Sequence, residues 1–393
     1  MQMKLEAMWR ALEGVRNFVV TGDTKDSGYD REQLSRLLIV RNWKNLVLLN
    51  YSNLLQYDRY RWTDFLRICR GIVFDRTGNL LSFPFHKFFN INENDEVRYE
   101  NVATWTTRSV TEKVDGVLIQ VFKHDGDIIW ASRHNIFTPP AQLAQSLAGD
   151  EIHNVIRVLP NRPWTIMLEL VHKSVWQPGM VYPGDTVGLH LLGVRFHDSL
   201  ELKLAFEIWE TVPEPFKLPV QYSFNSVDDS LQLVQRANTP DWEGLVLQGT
   251  EDAGNRLVKI KSPLYLKRLA LVKGLSPKRI MQTYSRGGWD AVNQLLLNIE
   301  EVVLQTPLGS VISGIRAAED EVRSEIEKYA NVPLEEIRTI PENMRWVVGY
   351  RNKPEKLATG LRRAVAAKIE AAPDRYGLTF PSDDNFDTER CNE

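Results

Sequence analysis

The sequence predicts an α+β protein: a β-rich domain over residues 1–265, opened by a helix, and a smaller all-α domain over 266–393. Two observations predict it. From about 38 to 260, short runs rich in Val, Ile, Leu and aromatics recur between Gly, Asp, Asn or Pro, the mark of strands. After Ser262-Pro263 the apolar period changes to that of amphipathic helices with interleaved charge.

Residues 3–20 place Leu5, Met8, Leu12 and Val15 at helical spacing, and 21–31 read as a polar loop. The predicted strands are LLIV, LVLLNY, GIVFD, VLIQVFK, DIIWASR, WTIMLELV, VGLHLLGVRF, GLVLQ and RLVKIK. His124-Asp125-Gly126-Asp127 forms the turn of a hairpin, and a helical stretch covers about 139–158. Helices follow in WDAVNQLLLNIEEVVLQ, SGIRAAEDEVRSEIEKYA and PEKLATGLRRAVAAKIEAA, then an acidic tail over about 381–393.

Composition excludes several classes. The chain is 43% hydrophobic and 25% charged, as in ordinary globular proteins. It has no apolar run long enough for a bilayer and no signal-peptide core, so no membrane partner is expected. Cys69 and Cys391 allow no disulfide framework or cysteine-type zinc site, which fits a reducing cytoplasm. A net charge of -3 excludes coating nucleic acid by bulk charge, so any such binding is local and end-directed.

The stretch TEKVDGVLIQ sets Lys113 against an apolar strand. A lysine amine becomes nucleophilic when burial or nearby cations depress its pKa. Asp115 is placed to orient the amine or hold a metal ion, and Gly116 to let the backbone approach a ligand. The plainer alternative is a lysine at a strand edge followed by a turn. Lys259 and Lys261, two apart on a strand, share one face while Val258 and Ile260 enter the core, which suggests a phosphate between or above them. The plainer alternative here is a solvated edge strand. Glu169 inside WTIMLELV and Glu243 before GLVLQ are carboxylates that need a partner, a metal or a hydroxyl. Arg70, Lys87 and Arg133 add cations near the same strands. A nucleophilic lysine, cations for a triphosphate and carboxylates for a hydrated magnesium ion are what nucleotidyl transfer requires.

In this order the motifs CRGIVFD, PFHKFFNINE, EKVDG, MLELV, LHLLGVRF, WEGLVLQ and VKIKS resemble the RNA ligase 1 family of bacteriophages, among the covalent nucleotidyltransferases. The resemblance implies an antiparallel-sheet, ATP-grasp-like nucleotidyltransferase domain. It implies ATP and Mg2+ as cofactors, with Mn2+ able to substitute, and Lys113 as the residue that takes AMP. Asp115 and Glu243 would serve the metal, Glu169 the nucleotide sugar, and Lys259 and Lys261 the phosphates. Arg70 and Lys87 would grip the β- and γ-phosphates, the backbone beside Glu112 would read adenine, and Arg133 would reach the ribose. The absence of an arginine shortly after the lysine motif and of an OB-fold pattern after 262 disfavours a DNA ligase or capping enzyme. A non-catalytic nucleotide- or RNA-binding relative is the other alternative. The expected partners are single-stranded RNA ends, with cleaved tRNA a candidate, and an end-healing kinase–phosphatase; a cytoplasmic monomer is expected, in the host cytoplasm if the chain is viral. RNA contacts are expected at Lys267, Arg268, Lys278 and Arg279, at Arg351, Lys353, Lys356, Arg362, Arg363 and Lys368, and on exposed Trp62 or Trp176.

Overall fold

A computed structural model of the chain describes residues 4–56, 61–172, 175, 187–224, 226–237, 242–272, 275–296 and 307–376. The strands are β1 (Leu38–Trp43), β2 (Leu46–Tyr51), β3 (Arg70–Asp75), β4 (Leu80–Ser82), β5 (Thr107–Glu112), β6 (Val117–His124) and β7 (Asp127–Ser132). They continue as β8 (Trp164–Val171), β9 (Gly188–Phe196), β10 (Leu202–Leu204), β11 (Phe216–Lys217), β12 (Gln221–Tyr222), β13 (Gly244–Gly249) and β14 (Leu257–Lys261). The expected antiparallel α+β architecture is present, with a four-stranded sheet β1-β2-β3-β4 at the N-terminus. A large sheet runs β10-β9-β8-β6-β7 with β11 parallel on β9, and a small sheet runs β12-β5-β13-β14.

Alternation along each strand sets the layers. The helix Leu5–Thr21 packs Met8, Leu12 and Val15 on Leu49, Ile72 and Phe74 of the N-terminal sheet. The opposite face of that sheet, with Leu46, Leu48 and Val73, meets Phe122 and Ile129 of the large sheet. One face of the large sheet, with Ile166, Leu168, Leu170, Leu189 and Leu191, is covered by the helices Pro139–Ala148 and Glu151–Arg157. The helix Val227–Arg236 covers Leu245, Leu247, Val258 and Ile260 of the small sheet. The remaining faces of these two sheets turn toward each other, joined by Leu118, Met167, Leu257, Phe85 and Phe88. Every residue that the sequence assigns to the nucleophile, the metal and the α-phosphate lies on or beside this joint.

The chain divides into two compact units, one from Met1–Val175 and Tyr182–Lys267, the other from Arg268 onward. The described elements of the second are all helical: Pro277–Leu296, Pro307–Tyr329, Trp346–Tyr350 and Pro354–Ala371, with short 3-10 turns. Its interior holds Glu319, which accepts from Tyr284 Oη and Trp289 Nε1, each at 2.6 Å. The expected loop at 21–31 contains a 3-10 turn, Lys25–Ser27. The acidic tail, Trp176, and the part of WDAVNQLLLNIEEVVLQ after Leu296 lie outside the described residues. Among the described residues no helix is long and apolar enough to cross a membrane.

Candidate active site

Lys113 follows the last residue of β5, a strand of the small sheet, and not the apolar strand β6 that the sequence sets beside it. Its backbone N–H donates to the Gly244 carbonyl at 2.8 Å, and that of Glu112 donates to the Val220 carbonyl at 2.8 Å. These two donors are therefore engaged in the sheet. The Glu112 side chain shares the face of its register partner Leu245, which enters the core under the helix Val227–Arg236, away from Lys113. Burial pushes its carboxyl pKa up.

Gly244 is the register partner of Lys261, so Lys113, Glu243 and Lys261 meet across β5, β13 and β14. Lys113 Nζ donates to Glu243 Oε2 at 2.6 Å, and Lys261 Nζ lies 3.2 Å from Oε1 of the same carboxylate. The Lys113 side chain retains 20% exposure, against 3% for Glu243. Gly244 has φ +140, and a Cβ there would stand 2.1 Å from the Ile260 carbonyl oxygen, so only glycine lets the three strands close around the carboxylate.

The large sheet supplies the other wall. Glu169, buried on β8, accepts the Gly116 N–H at 3.0 Å. A Cβ on Gly116 would meet the Leu170 carbonyl oxygen at 2.4 Å. Gly116 thus serves a close approach to β8, a role that the sequence reading did not foresee. Gly116→Ala is expected to cost about 1–3 kcal/mol, as other overpacked contacts do, and to break the hydrogen bond that aims Glu169; thermal unfolding beside an adenylylation assay measures both. Asp115 accepts from Tyr265 Oη at 2.7 Å, which turns its carboxylate toward the helix that opens at Pro263.

Electrostatics correct a second expectation. Desolvation pulls the Lys113 pKa down, but Glu243, Asp115 and Glu169 outweigh it and hold the amine above the ordinary lysine value. The neighbourhood expected to be positive is acidic, because the charges that act most on Lys113 are the carboxylates of Glu243, Asp115 and Glu169. Lys259 and Lys261 are not a solvated edge either: Lys259 is 5% exposed, with Nζ 4.9 Å over the Phe88 ring. The KFFN segment reaches this strand directly, since Lys259 N–H donates to the Phe89 carbonyl at 3.0 Å and Ile91 N–H to the Lys259 carbonyl at 2.8 Å. Lys87 lies inward with Nζ 5.3 Å from both the Trp62 and Phe89 rings. Trp62 is therefore a half-buried packing residue against Tyr51 and Phe89 and not an exposed stacking platform.

Arg70 opens β3, and Arg133 follows the last residue of β7. Arg70 Nη1 donates to the Phe85 carbonyl at 3.4 Å, and Arg133 Nη1 to Tyr51 Oη at 3.2 Å. Lys267, Lys278 and Arg279 are exposed; the Arg268 side chain lies outside the described residues.

Comparison with known proteins bears on this geometry. The profile of a family described as RNA ligase matches residues 68–265, half of the 393-residue chain and the span that holds Arg70, Lys87, Lys113, Asp115, Arg133, Glu169, Glu243, Lys259 and Lys261. The chain belongs to this RNA ligase family. It is 34% identical over 139 residues to RNA ligase 1 of Bacteriophage TS2126, 33% of this chain and 34% of that relative. It is 28% identical over 208 residues to a protein of Thermovibrio ammonificans, itself named only provisionally as an RNA ligase, over 52% of this chain and 53% of the relative. The chain thus spans about half or less of the curated relatives that it matches. An archaeal ATP-dependent RNA ligase is similar in structure with a TM-score of 0.44 at 12% identity, over 73% of this chain and 78% of that one.

In this member of the RNA ligase family two site residues escape sequence reasoning. Tyr265 looks like an ordinary helix residue until its bond to Asp115 is seen. His190, buried on β9, is the register partner of Glu169 and shares its face, since Leu189 and Leu191 enter the opposite core. A histidine within the apolar run LHLLGVRF was the available signal. Among the described residues no group of three or more His, Cys, Asp or Glu is arranged to hold a metal ion. Asp115 and Glu243, which both act on Lys113, are still a donor pair that suits magnesium, since that ion commonly takes one or two protein carboxylates and completes its shell with substrate phosphates and water.

Proposed function

We propose that this chain is an ATP-dependent RNA ligase that joins 5′-phosphate and 3′-hydroxyl ends of single-stranded RNA. The observation that carries the reading is the shared carboxylate of Glu243 between Lys113 and Lys261, inside the family-matched span. The neutral amine of Lys113 attacks the α-phosphorus of ATP and pyrophosphate leaves, giving a lysine–AMP phosphoramidate. An RNA 5′-phosphate then attacks the AMP phosphorus, frees Lys113 and becomes a 5′–5′ adenylylated end. An RNA 3′-hydroxyl attacks that end, the phosphodiester forms and AMP leaves.

Lys259 and Lys261 neutralise the reacting phosphate, with Lys87 and Arg70 on the outer phosphates, Glu169 and Arg133 at the ribose, and His190 on the cleft wall. Asp115 and Glu243 would hold magnesium, or manganese in its place, which supplies Lewis-acid stabilisation of the phosphates. Loss of carboxylate charge to that cation would release Lys113 from its ion pair and lower its pKa toward reactivity. We assign the span to about 265 to an ATP-grasp-like nucleotidyltransferase domain and the rest to an all-α domain. A 5′-phosphate and a 3′-hydroxyl call for a kinase–phosphatase as functional partner; repair of cleaved tRNA in the cytoplasm, by a monomer, suits such ends. The direct test is ligation of a linear RNA bearing 5′-phosphate and 3′-hydroxyl with ATP and magnesium. ATP-dependent circularisation or joining is expected. Binding of ATP and RNA without turnover would favour a non-catalytic relative, and joining of only nicked duplex DNA a DNA ligase.

A further inference from the structure

The helical unit contains a groove of about 790 Å3 that the adenylylation chemistry does not use. Its floor is the helix Pro354–Ala371 at Gly360, where a Cβ would stand 2.4 Å from the Trp346 ring, so the indole lies directly on helix backbone. Trp346 and Tyr350 form one wall, half-buried, with ring centroids 6.4 Å apart and planes tilted by 47°. The indole is fixed by its Nε1 donating to the Asn343 carbonyl at 2.9 Å. Lys356, exposed, sets its ammonium 5.9 Å from the Tyr350 centroid, and exposed Arg363 lines the same groove. Among the described residues neither makes an ion pair, whereas Lys368 is spent on Glu325 at 2.7 Å and Glu321 at 3.2 Å. Residues 345–371 carry seven Lys or Arg against two Glu, a net of +5 in a chain whose total is -3.

We propose that this groove binds unpaired RNA, a base stacking on Tyr350 and Trp346 while Lys356 and Arg363 take the flanking phosphates. Half-open aromatic rings flanked by unmatched cations are how sequence-tolerant single-strand sites work. The concentration of positive charge in an acidic chain selects a polyanion. The inference rests on the RNA ligase reading for its choice of polyanion, and is tested apart from it.

The experiment uses the full chain and a fluorescein-labelled 5′-phosphorylated oligouridylate, with anisotropy read over a salt series. Tyr350→Ala is expected to weaken binding about tenfold, the scale of one lost base stack. Lys356→Glu with Arg363→Glu, both at exposed positions, is expected to weaken it further and flatten the log–log salt slope by roughly 1.4, the share of two phosphate contacts on a single strand. Formation of the lysine–AMP adduct from ATP alone should stay at the wild-type rate in both variants. Should Tyr350→Ala misfold, the charge-reversal pair and Tyr350→Phe, expected to bind as wild type, carry the test. Unchanged affinity and salt slope in the charge-reversal variant would overturn the proposal, and so would displacement of the oligonucleotide by polyglutamate as readily as by unlabelled RNA. A wild-type chain that forms no adduct yet binds RNA through these residues would sink the ligase reading and leave the groove standing.

Discussion

Lys113→Arg is expected to abolish covalent adenylylation, by roughly 10⁴-fold or more, the scale seen when a covalent nucleophile is removed. Arginine keeps a cation opposite Glu243 but stays protonated at any usable pH, so it has no lone pair for phosphorus. The fold should survive, because the Glu243 carboxylate keeps a positive partner on the Lys113 side and Lys261 on the other. Joining of chemically pre-adenylylated RNA to a 3′-hydroxyl should persist, since that step does not use the amine. If joining of both substrates falls together, the side chain is serving structure or RNA binding. The raised pKa of Lys113 adds a pH dependence with a definite sign. The reactive neutral fraction grows as pH rises, so single-turnover adduct formation should climb from neutral into alkaline solution. The ion pair's contribution to stability runs the other way: it is complete below the ordinary lysine range and is lost as pH passes the raised value.

The second large effect is expected at Glu243→Gln, on stability and chemistry at once. The Glu243 side chain is 3% exposed, and that of its partner Lys261 is 5% exposed. Removing one side of a buried ion pair costs about 3–5 kcal/mol, mostly from the charge left behind. For a domain of this size the melting temperature should fall by roughly 10 °C. Adenylylation should fall on the order of a hundredfold or more, since in the proposed mechanism Glu243 would help hold magnesium. Inorganic pyrophosphate or ATP should restore part of the lost melting temperature, since phosphate oxygens can take the place of the carboxylate near Lys261. An unchanged melting temperature without ligand would mean that the two lysines do not depend on Glu243.

Much of the β-rich region is legible in the sequence because its strands are dense in apolar residues. LVLLNY and WTIMLELV coincide with β2 and β8, each buried along its whole length. β5 is not legible: Thr107–Glu112 reads TRSVTE, and its buried members include Ser109 and Thr111. Their polar side chains are tolerated because the sheet supplies partners, as in the Ser109–Gln248 contact at 3.4 Å. Missing β5 is what placed Lys113 beside the wrong sheet. The short strands β4, β10, β11 and β12 carry too few residues for a period to show.

For the site, motif order names Lys113, Glu243 and Lys261 but does not say how they are paired. Residue spacing along β14 correctly placed Lys259 and Lys261 on one face, because a two-residue period is local. It could not reveal that Glu243 lies between Lys113 and Lys261, since that depends on the register of three strands drawn from distant segments. The approach of Gly116 to β8 stays hidden for the same reason: its neighbour, the Leu170 carbonyl, is 54 positions away in sequence.

The most direct test of a nucleophilic lysine is to locate the adduct. The full chain is incubated with ATP and magnesium, digested at a pH that spares the acid-labile phosphoramidate, and its peptides sequenced by tandem mass spectrometry. AMP is expected on the peptide containing Thr111–Gln120, at Lys113. Adenylate on any other lysine, Lys259 or Lys261 included, or no covalent adenylate while ATP-dependent RNA joining proceeds, would contradict it.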